Sequence, residues 1–208
     1  MVQVKICGIN TPQALDAASR AGADWIGFNF FPRSPRYVTP VQAASIAAAS
    51  PGGPARVGLF VEPMDEAVEE ACRAIHLDVL QIYAPLPRAA ALRARLGIPV
   101  WGIASLASPA DLPREAPGLD ALLVEPKPPA GATRPGGNGA TFDWSVLQGW
   151  NAPTPWLLAG GLTPDNVAQA IRQSGARAVD VSSGVERAPG QKDSALIVQF
   201  VENSRSAD

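Results

Sequence analysis

The chain has 208 residues and a formal net charge of −2. That length suffices for one sizeable core, and the near-neutral balance excludes the basic face that bulk nucleic-acid binding needs. Two cysteines, Cys7 and Cys72, make neither a disulfide framework nor a zinc pair, so a reducing, cytoplasmic setting is expected. The first residues enter a strand pattern directly, with no signal-peptide signature, and no window of about 18 apolar residues predicts a membrane span. Neither nucleic acid nor a membrane is therefore expected as a partner, and a small anionic ligand stays open, because a few local donors can bind an anion whatever the total charge.

Taken in chain order, short apolar runs alternate with helical patterns. A strand over 2–6 leads to Thr11-Pro12, which opens a helix that Gly22 closes. A second strand over 25–28 is followed by a proline-bounded turn at 29–37, and Thr39-Pro40 opens the next helix. The third strand covers 56–60. The helix predicted over 64–75 places Met64, Ala67, Val68, Ala71 and Ile75 on one stripe, with acidic residues largely opposite. Strands follow at 79–82 and 100–103; Ser108-Pro109 reads as another helix start; a sixth strand spans 121–124. Residues 126–140, rich in Pro and Gly, fit neither helix nor strand and read as a long active-site loop. A strand at 156–158, a helix over 163–174 from Thr163-Pro164 to Gly175, and a strand at 178–181 complete the series. The hydroxyl can cap free amides, and proline suits the first helical turn.

Eight short strands, several without polar alternation, predict parallel strands buried on both faces. The fold class expected is α/β, a (β/α)8 TIM barrel forming a single domain over residues 1–208. An open doubly wound sheet is the alternative, although no G-x-G-x-x-G follows a strand.

Chemistry in such barrels gathers where strands end. The first strand ends at Cys7, which becomes a base if its thiol titrates lower than usual. The sixth ends at Glu125, where poor solvation would raise the carboxyl and suit a proton donor. Arg36, after the second strand, offers a planar fork for a carboxylate. Gly160 and Gly161 after the seventh strand, with Ser183 and Gly184 after the eighth, form a candidate phosphate cradle. Each has a plainer reading: a buried thiol, a strand-end charge, a solvated loop arginine, two tight turns. Arg33 and Arg134 are less telling. Cys72 reads as structural. His76, the only histidine, falls at the opposite face of the barrel and receives no catalytic role. The five tryptophans read as packing, with Trp101 able to approach the mouth.

Five segments carry a resemblance. K-I-C-G-I at 5–9, S-P-R-Y-V at 34–38, G-G-N-G-A-T-F-D-W at 136–144, L-A-G-G-L-T-P-D-N-V at 158–167 and V-D-V-S-S-G-V-E at 179–186 resemble the phosphoribosylanthranilate isomerase family from end to end. The resemblance implies an Amadori rearrangement in tryptophan biosynthesis, without metal or organic cofactor, by a monomer or homodimer. It matches the family's cysteine base to Cys7, its carboxylate-binding arginine to Arg36, and its phosphate-binding residues to Gly160, Gly161, Ser183 and Gly184. Four positions depart from the pattern. Glu125 stands where the family has aspartate, Tyr83-Ala84 replaces histidine-glycine, Glu62 replaces asparagine, and Asn29 replaces an apolar residue. An isomerase of a different aminosugar phosphate and a non-catalytic phosphate-ligand binder are the alternatives. Retention of Cys7 with a carboxyl at 125 argues against the binder.

Overall fold

The computed structural model describes residues 1–128, 131, 136, 139 and 141–207. Eight parallel strands close into a barrel: β1 (Gln3–Cys7), β2 (Trp25–Asn29), β3 (Ala55–Val61), β4 (Val79–Tyr83), β5 (Val100–Leu106), β6 (Ala121–Pro126), β7 (Trp156–Leu158) and β8 (Ala178–Val181). Each pairs with the next in sequence, and β8 returns to β1 in register, Lys5 opposite Asp180. The closed barrel replaces the open-sheet alternative. All eight predicted runs are strands, extended by one to three residues at most ends that face the cleft.

Alternation along the strands separates two apolar sets. Val57, Val79, Trp101, Leu123, Leu157 and Ala178 fill the barrel interior. Val4, Ile6, Ile26, Leu80, Ile82, Leu122 and Val179 face outward and lie under the helices. Both faces of every strand are thus removed from water, which is why the strands read as continuous apolar runs.

The helices are α1 (Pro12–Ala21), α2 (Pro40–Ala48), α3 (Asp65–Ala74), α4 (Leu86–Leu96), α5 (Val167–Ser174) and α6 (Ser194–Arg205). Thr11 caps α1 by accepting from the Ala14 amide, and Thr39 forms a capping box with Gln42. Two of the predicted starts are corrected. Ser108-Pro109 yields only a three-residue 3-10 turn, Pro109–Asp111. Pro113 and Pro117 follow at four-residue intervals; each would remove a helical hydrogen bond and clash with the preceding turn. Thr163-Pro164 opens a turn, and α5 begins only at Val167, because the Asn166 side chain turns back to accept from the Thr163 amide. Two of the seven crossovers therefore carry no α-helix among the described residues; the one before β7 holds the 3-10 turn Trp144–Leu147. In α3 the stripe is narrower than predicted, since Met64 precedes the helix and is 72 % exposed.

The strand ends opposite the cleft share one device. Asp24, Asp78 and Asp120 each stand just before an even-numbered strand. Each accepts from the first free amide of the strand before it: Val4 at 2.7 Å, Arg56 at 2.7 Å and Val100 at 2.8 Å. Arg177 holds the corresponding place before β8 and offers its carbonyl to Gln3 at 2.9 Å instead. Orphan amides at the rim would otherwise cost stability.

Glu62, just after β3, has φ +43°, alone among described non-glycine residues in the left-handed region. Its amide donates to the Tyr83 carbonyl at 2.8 Å, which holds the turn. A left-handed conformation costs an ordinary L-residue about 1–2 kcal/mol, and asparagine tolerates it better. Because Glu62 is exposed, Glu62→Asn should raise stability by roughly 0.5–1 kcal/mol, read from urea denaturation. An unchanged or lower midpoint would contradict the strain.

Candidate active site

The strand ends bring the predicted residues to one cleft. Its wall includes Cys7 from β1, Arg36 from the loop after β2, Tyr83 from β4, Glu125 from β6, Gly160 and Gly161 after β7, and Ser183 after β8. It encloses about 60 Å³, well below the ~300 Å³ of an ordinary ligand pocket. Gly136 from the loop after β6 lines it and narrows it. Arg134, Gly137, Asn138 and Ala140 of the predicted loop lie outside the described residues.

Beneath the cleft is a buried charge layer that the strand register builds. Lys5 and Asp180 occupy inward positions on adjoining strands, and their side chains meet at 2.7 Å. Gly27 beside them has no side chain to spare room for: a Cβ there would lie 3.1 Å from Cys7 Sγ and 3.3 Å from Lys5 Nζ. Burial works to lower the Lys5 ammonium, but Asp180 and Cys7 outweigh it, so the lysine is held charged. The Cys7 thiol moves the other way from the sequence expectation. Burial pushes it above its ordinary value, and Lys5 and Lys192 only partly counteract that.

Glu125 behaves as its setting predicts. Burial lifts its carboxyl to about 8, opposed by the Tyr83 hydrogen bond, assisted by Asp180 and opposed by Lys5. At neutral pH it holds a proton. The Tyr83 hydroxyl donates to Glu125 Oε2 at 3.2 Å.

Arg36 is neither solvated nor free. Its stem crosses Gly8, whose φ of +80° brings the backbone so close that a Cβ would lie 2.7 Å from Arg36 Cδ. Its Nε and Nη2 donate to the two oxygens of Glu186 at 2.7 and 2.8 Å. Glu186 begins a small hairpin, β9 (Glu186–Ala188) with β10 (Gln191–Lys192), absent from the sequence reading. It also accepts from Lys192 at 2.8 Å and from the Gly190 amide at 3.1 Å. Asn29 steadies the loop from the other side, its Oδ1 accepting from the Phe31 amide at 2.9 Å.

Both glycines of the turn after β7 adopt backbone that favours glycine. Gly160 and Gly161 have φ of +89° and +62° and line the cleft. Gly184 does not line the cleft. A Cβ on it would come within 1.8 Å of the Leu162 carbonyl oxygen, so it lets the β7 and β8 loops touch. Three positions lie elsewhere. Trp101 sits near the opposite end of β5, edge-on to Trp25 with centroids 5.2 Å apart, and does not approach the mouth. His76 is exposed beside Asp78, and Arg33 is exposed.

Sequence reasoning left Asp180, Tyr83, Glu186 and Lys192 without roles. A signal existed for the first: an acid at an inward position in an otherwise apolar strand, on the strand adjoining a lysine. None existed for Lys192, which reaches the site only through the hairpin.

Glu186 neutralises two buried cations, and although burial raises its carboxyl, Arg36 and Lys192 hold it below its ordinary value. A depressed carboxylate adds stability above its unfolded pKa and loses it as pH falls through its folded one. Glu186→Gln should cost about 3–5 kcal/mol at neutral pH and flatten the loss of stability toward acid. Chemical denaturation from pH 3 to 7 reads both; a parent-like variant would show the network to be energetically idle.

The family model for N-(5'-phosphoribosyl)anthranilate (PRA) isomerase matches residues 4–203. The chain is 56 % identical to the N-(5'-phosphoribosyl)anthranilate isomerase of Acidiphilium cryptum and 50 % identical to that of Granulibacter bethesdensis, covering 100 % of each chain. Among solved structures, phosphoribosyl anthranilate isomerase of Thermotoga maritima superposes with TM-score 0.87 at 33 % identity, covering 99 % of this chain and 100 % of that one. A phosphoribosyl anthranilate isomerase in complex with reduced 1-(o-carboxyphenylamino)-1-deoxyribulose 5-phosphate superposes with TM-score 0.83 at 32 % identity over the same shares. The family match over most of the chain and the full-length similarity to relatives and solved structures agree, and the chain belongs to the N-(5'-phosphoribosyl)anthranilate isomerase family.

Proposed function

We propose that this chain isomerises N-(5'-phosphoribosyl)anthranilate to 1-(2-carboxyphenylamino)-1-deoxyribulose 5-phosphate in tryptophan biosynthesis. The observation that carries the reading is a buried, protonated carboxyl sharing one cleft with a buried thiol, between an arginine and two glycine turns. The turns after β7 and β8 would receive the phosphate, with Gly160, Gly161 and Ser183 at the cleft and Gly184 keeping the two loops together. Arg36, its Nε–Nη2 edge held by Glu186, would receive the anthranilate carboxylate on its remaining Nη1–Nη2 edge.

Glu125 gives its proton to the furanose ring oxygen. The C1–O bond breaks toward that oxygen, and the nitrogen lone pair forms the C1=N bond of a Schiff base. Cys7, as thiolate, removes the C2 proton, and the C–H pair becomes the C1=C2 bond of an enolamine with neutral nitrogen. Tautomerisation moves a proton to C1 and leaves the C2 ketone. Atoms and electrons balance without a cofactor. Residues 1–208 act on this reading as one domain, a cytoplasmic monomer or homodimer. Among the described residues no helix is long and apolar enough to cross a membrane, and one Thermotoga maritima relative is described as dimeric.

The first test is turnover of freshly generated phosphoribosylanthranilate, followed by loss of its fluorescence. Cys7→Ser and Glu125→Gln should each lower kcat about 10²–10⁴-fold. No turnover by folded parent protein would move the function to another aminosugar phosphate or to simple binding; a fully active variant would remove that residue from its role.

The pH profile follows from the two titrations. The working form carries a proton on Glu125 and none on Cys7. Below about 8 both groups hold protons. Loss of the first proton yields a pair sharing one, which includes the working arrangement; loss of the second abolishes it. So kcat/KM should climb as pH approaches about 8 and fall only above the ordinary thiol range. An optimum near pH 6 would sink this assignment.

A further inference from the structure

The two oxygens of Glu125 have unlike surroundings. Oε2 accepts from the Tyr83 hydroxyl. Oε1 is buried and has no hydrogen-bond partner among the described residues. A buried carboxyl oxygen left unpartnered is costly, unless a ligand supplies the partner. Tyr83 and Glu125 belong to strands that do not adjoin, since β5 lies between them, so their bond spans the cleft floor. Gly136 covers it: a Cβ there would lie 2.6 Å from the Tyr83 hydroxyl oxygen and 3.2 Å from Glu125 Oε2. The bond is therefore roofed by backbone that has no side chain to intrude.

We propose that Tyr83 is a positioning residue for the acid: its hydroxyl holds Glu125 Oε2 so that Oε1 is the oxygen that presents the proton to the substrate. The proposal rests on the reading of Glu125 as general acid. A glutamate stem has more rotatable bonds than a catalytic position tolerates unheld, and a displacement of about 1 Å can cost roughly 100-fold in rate. The phenol removes that freedom from one side while leaving the other oxygen free. Burial, then Glu125, pushes the Tyr83 hydroxyl well above its ordinary value, so it stays a donor throughout the working range. The charged and titratable groups acting on the carboxyl are Lys5 on β1, Tyr83 on β4 and Asp180 on β8, and Cys7 on β1 acts on Tyr83. Of these, Tyr83 pulls the carboxyl down by its hydrogen bond, so removing the hydroxyl raises Glu125. A mere opening of the site to water would do the reverse.

The test compares parent, Tyr83→Phe, Glu125→Gln and the double variant. Tyr83→Phe should lower kcat about 10- to 100-fold with KM changed less than roughly threefold. It should cost nothing further in the Glu125→Gln background. In unliganded protein labelled at the glutamate carboxyl carbon, a ¹³C NMR titration, assigned by loss of the signal in Glu125→Gln, should show the Glu125 midpoint moved upward by Tyr83→Phe. Parent turnover combined with unchanged kcat in Tyr83→Phe, a full penalty persisting in the Glu125→Gln background, or a downward midpoint would each overturn the role of Tyr83 alone. Failure of the parent to turn over phosphoribosylanthranilate would overturn the reading of the reaction, and this role with it.

Discussion

The Lys5–Asp180 ion pair is the constraint on which the rest of the site depends. It joins the first strand to the last at the seam where the barrel closes. Its members sit two residues below Cys7 and Ser182, so each strand carries one buried charge and then one cleft residue. Removing either partner would leave an uncompensated charge in a nearly dry interior, at a cost of about 3–5 kcal/mol. The register is thereby fixed with little latitude. A one-residue slip of β8 against β1 would turn Asp180 to the apolar outer face, where Val179 and Val181 belong. The pair also sets the potential at the cleft floor, since Asp180 raises the Glu125 carboxyl and Lys5 lowers it.

Desolvation acts on both groups to which the proposal assigns proton transfer, and in opposite senses for that chemistry. It prepares Glu125 to give a proton by holding the carboxyl neutral. It hinders Cys7 from taking one by disfavouring the thiolate. Two cations, Lys5 and Lys192, face the thiol, and they soften the second effect without reversing it. Lys192 is itself lowered by burial and tied to Glu186. So this cation of the hairpin is shared between binding Glu186, which Arg36 also meets, and easing the thiol. The β9–β10 hairpin is thus part of the site and not a decoration on the last loop.

The barrel was legible in the sequence because parallel strands buried on both faces are mostly apolar, with few polar positions. The eight apolar runs at 2–6 through 178–181 stand out for that reason. The helices were less legible where proline changes meaning with context. Thr11-Pro12 and Thr39-Pro40 begin helices, whereas Ser108-Pro109 begins nothing longer than a 3-10 turn, because Pro113 and Pro117 follow. Site residues at strand ends could be read from position alone. Their partners could not. Glu186 meets Arg36 across 150 residues of chain, and that pairing depends on a hairpin too short to announce itself. The shift of Cys7 also escaped, because a neighbouring lysine in sequence says nothing of how completely both are buried.

The departures from the family pattern are not scattered. Glu62 donates its amide to the Tyr83 carbonyl, and Tyr83 donates its hydroxyl to Glu125. Three of the four changed positions thus form one hydrogen-bonded chain from the β3 loop to the acid. The larger side chain at 83 supplies a donor on a rigid ring, and the longer acid at 125 accepts from it. Gly136 leaves the space that both need. The left-handed turn at Glu62 is the conformational cost at the outer end of this chain, about 1–2 kcal/mol. On the reading proposed for Glu125, the phenol of Tyr83, the carboxyl it holds and the glycine above them act as one fitted set at the cleft floor.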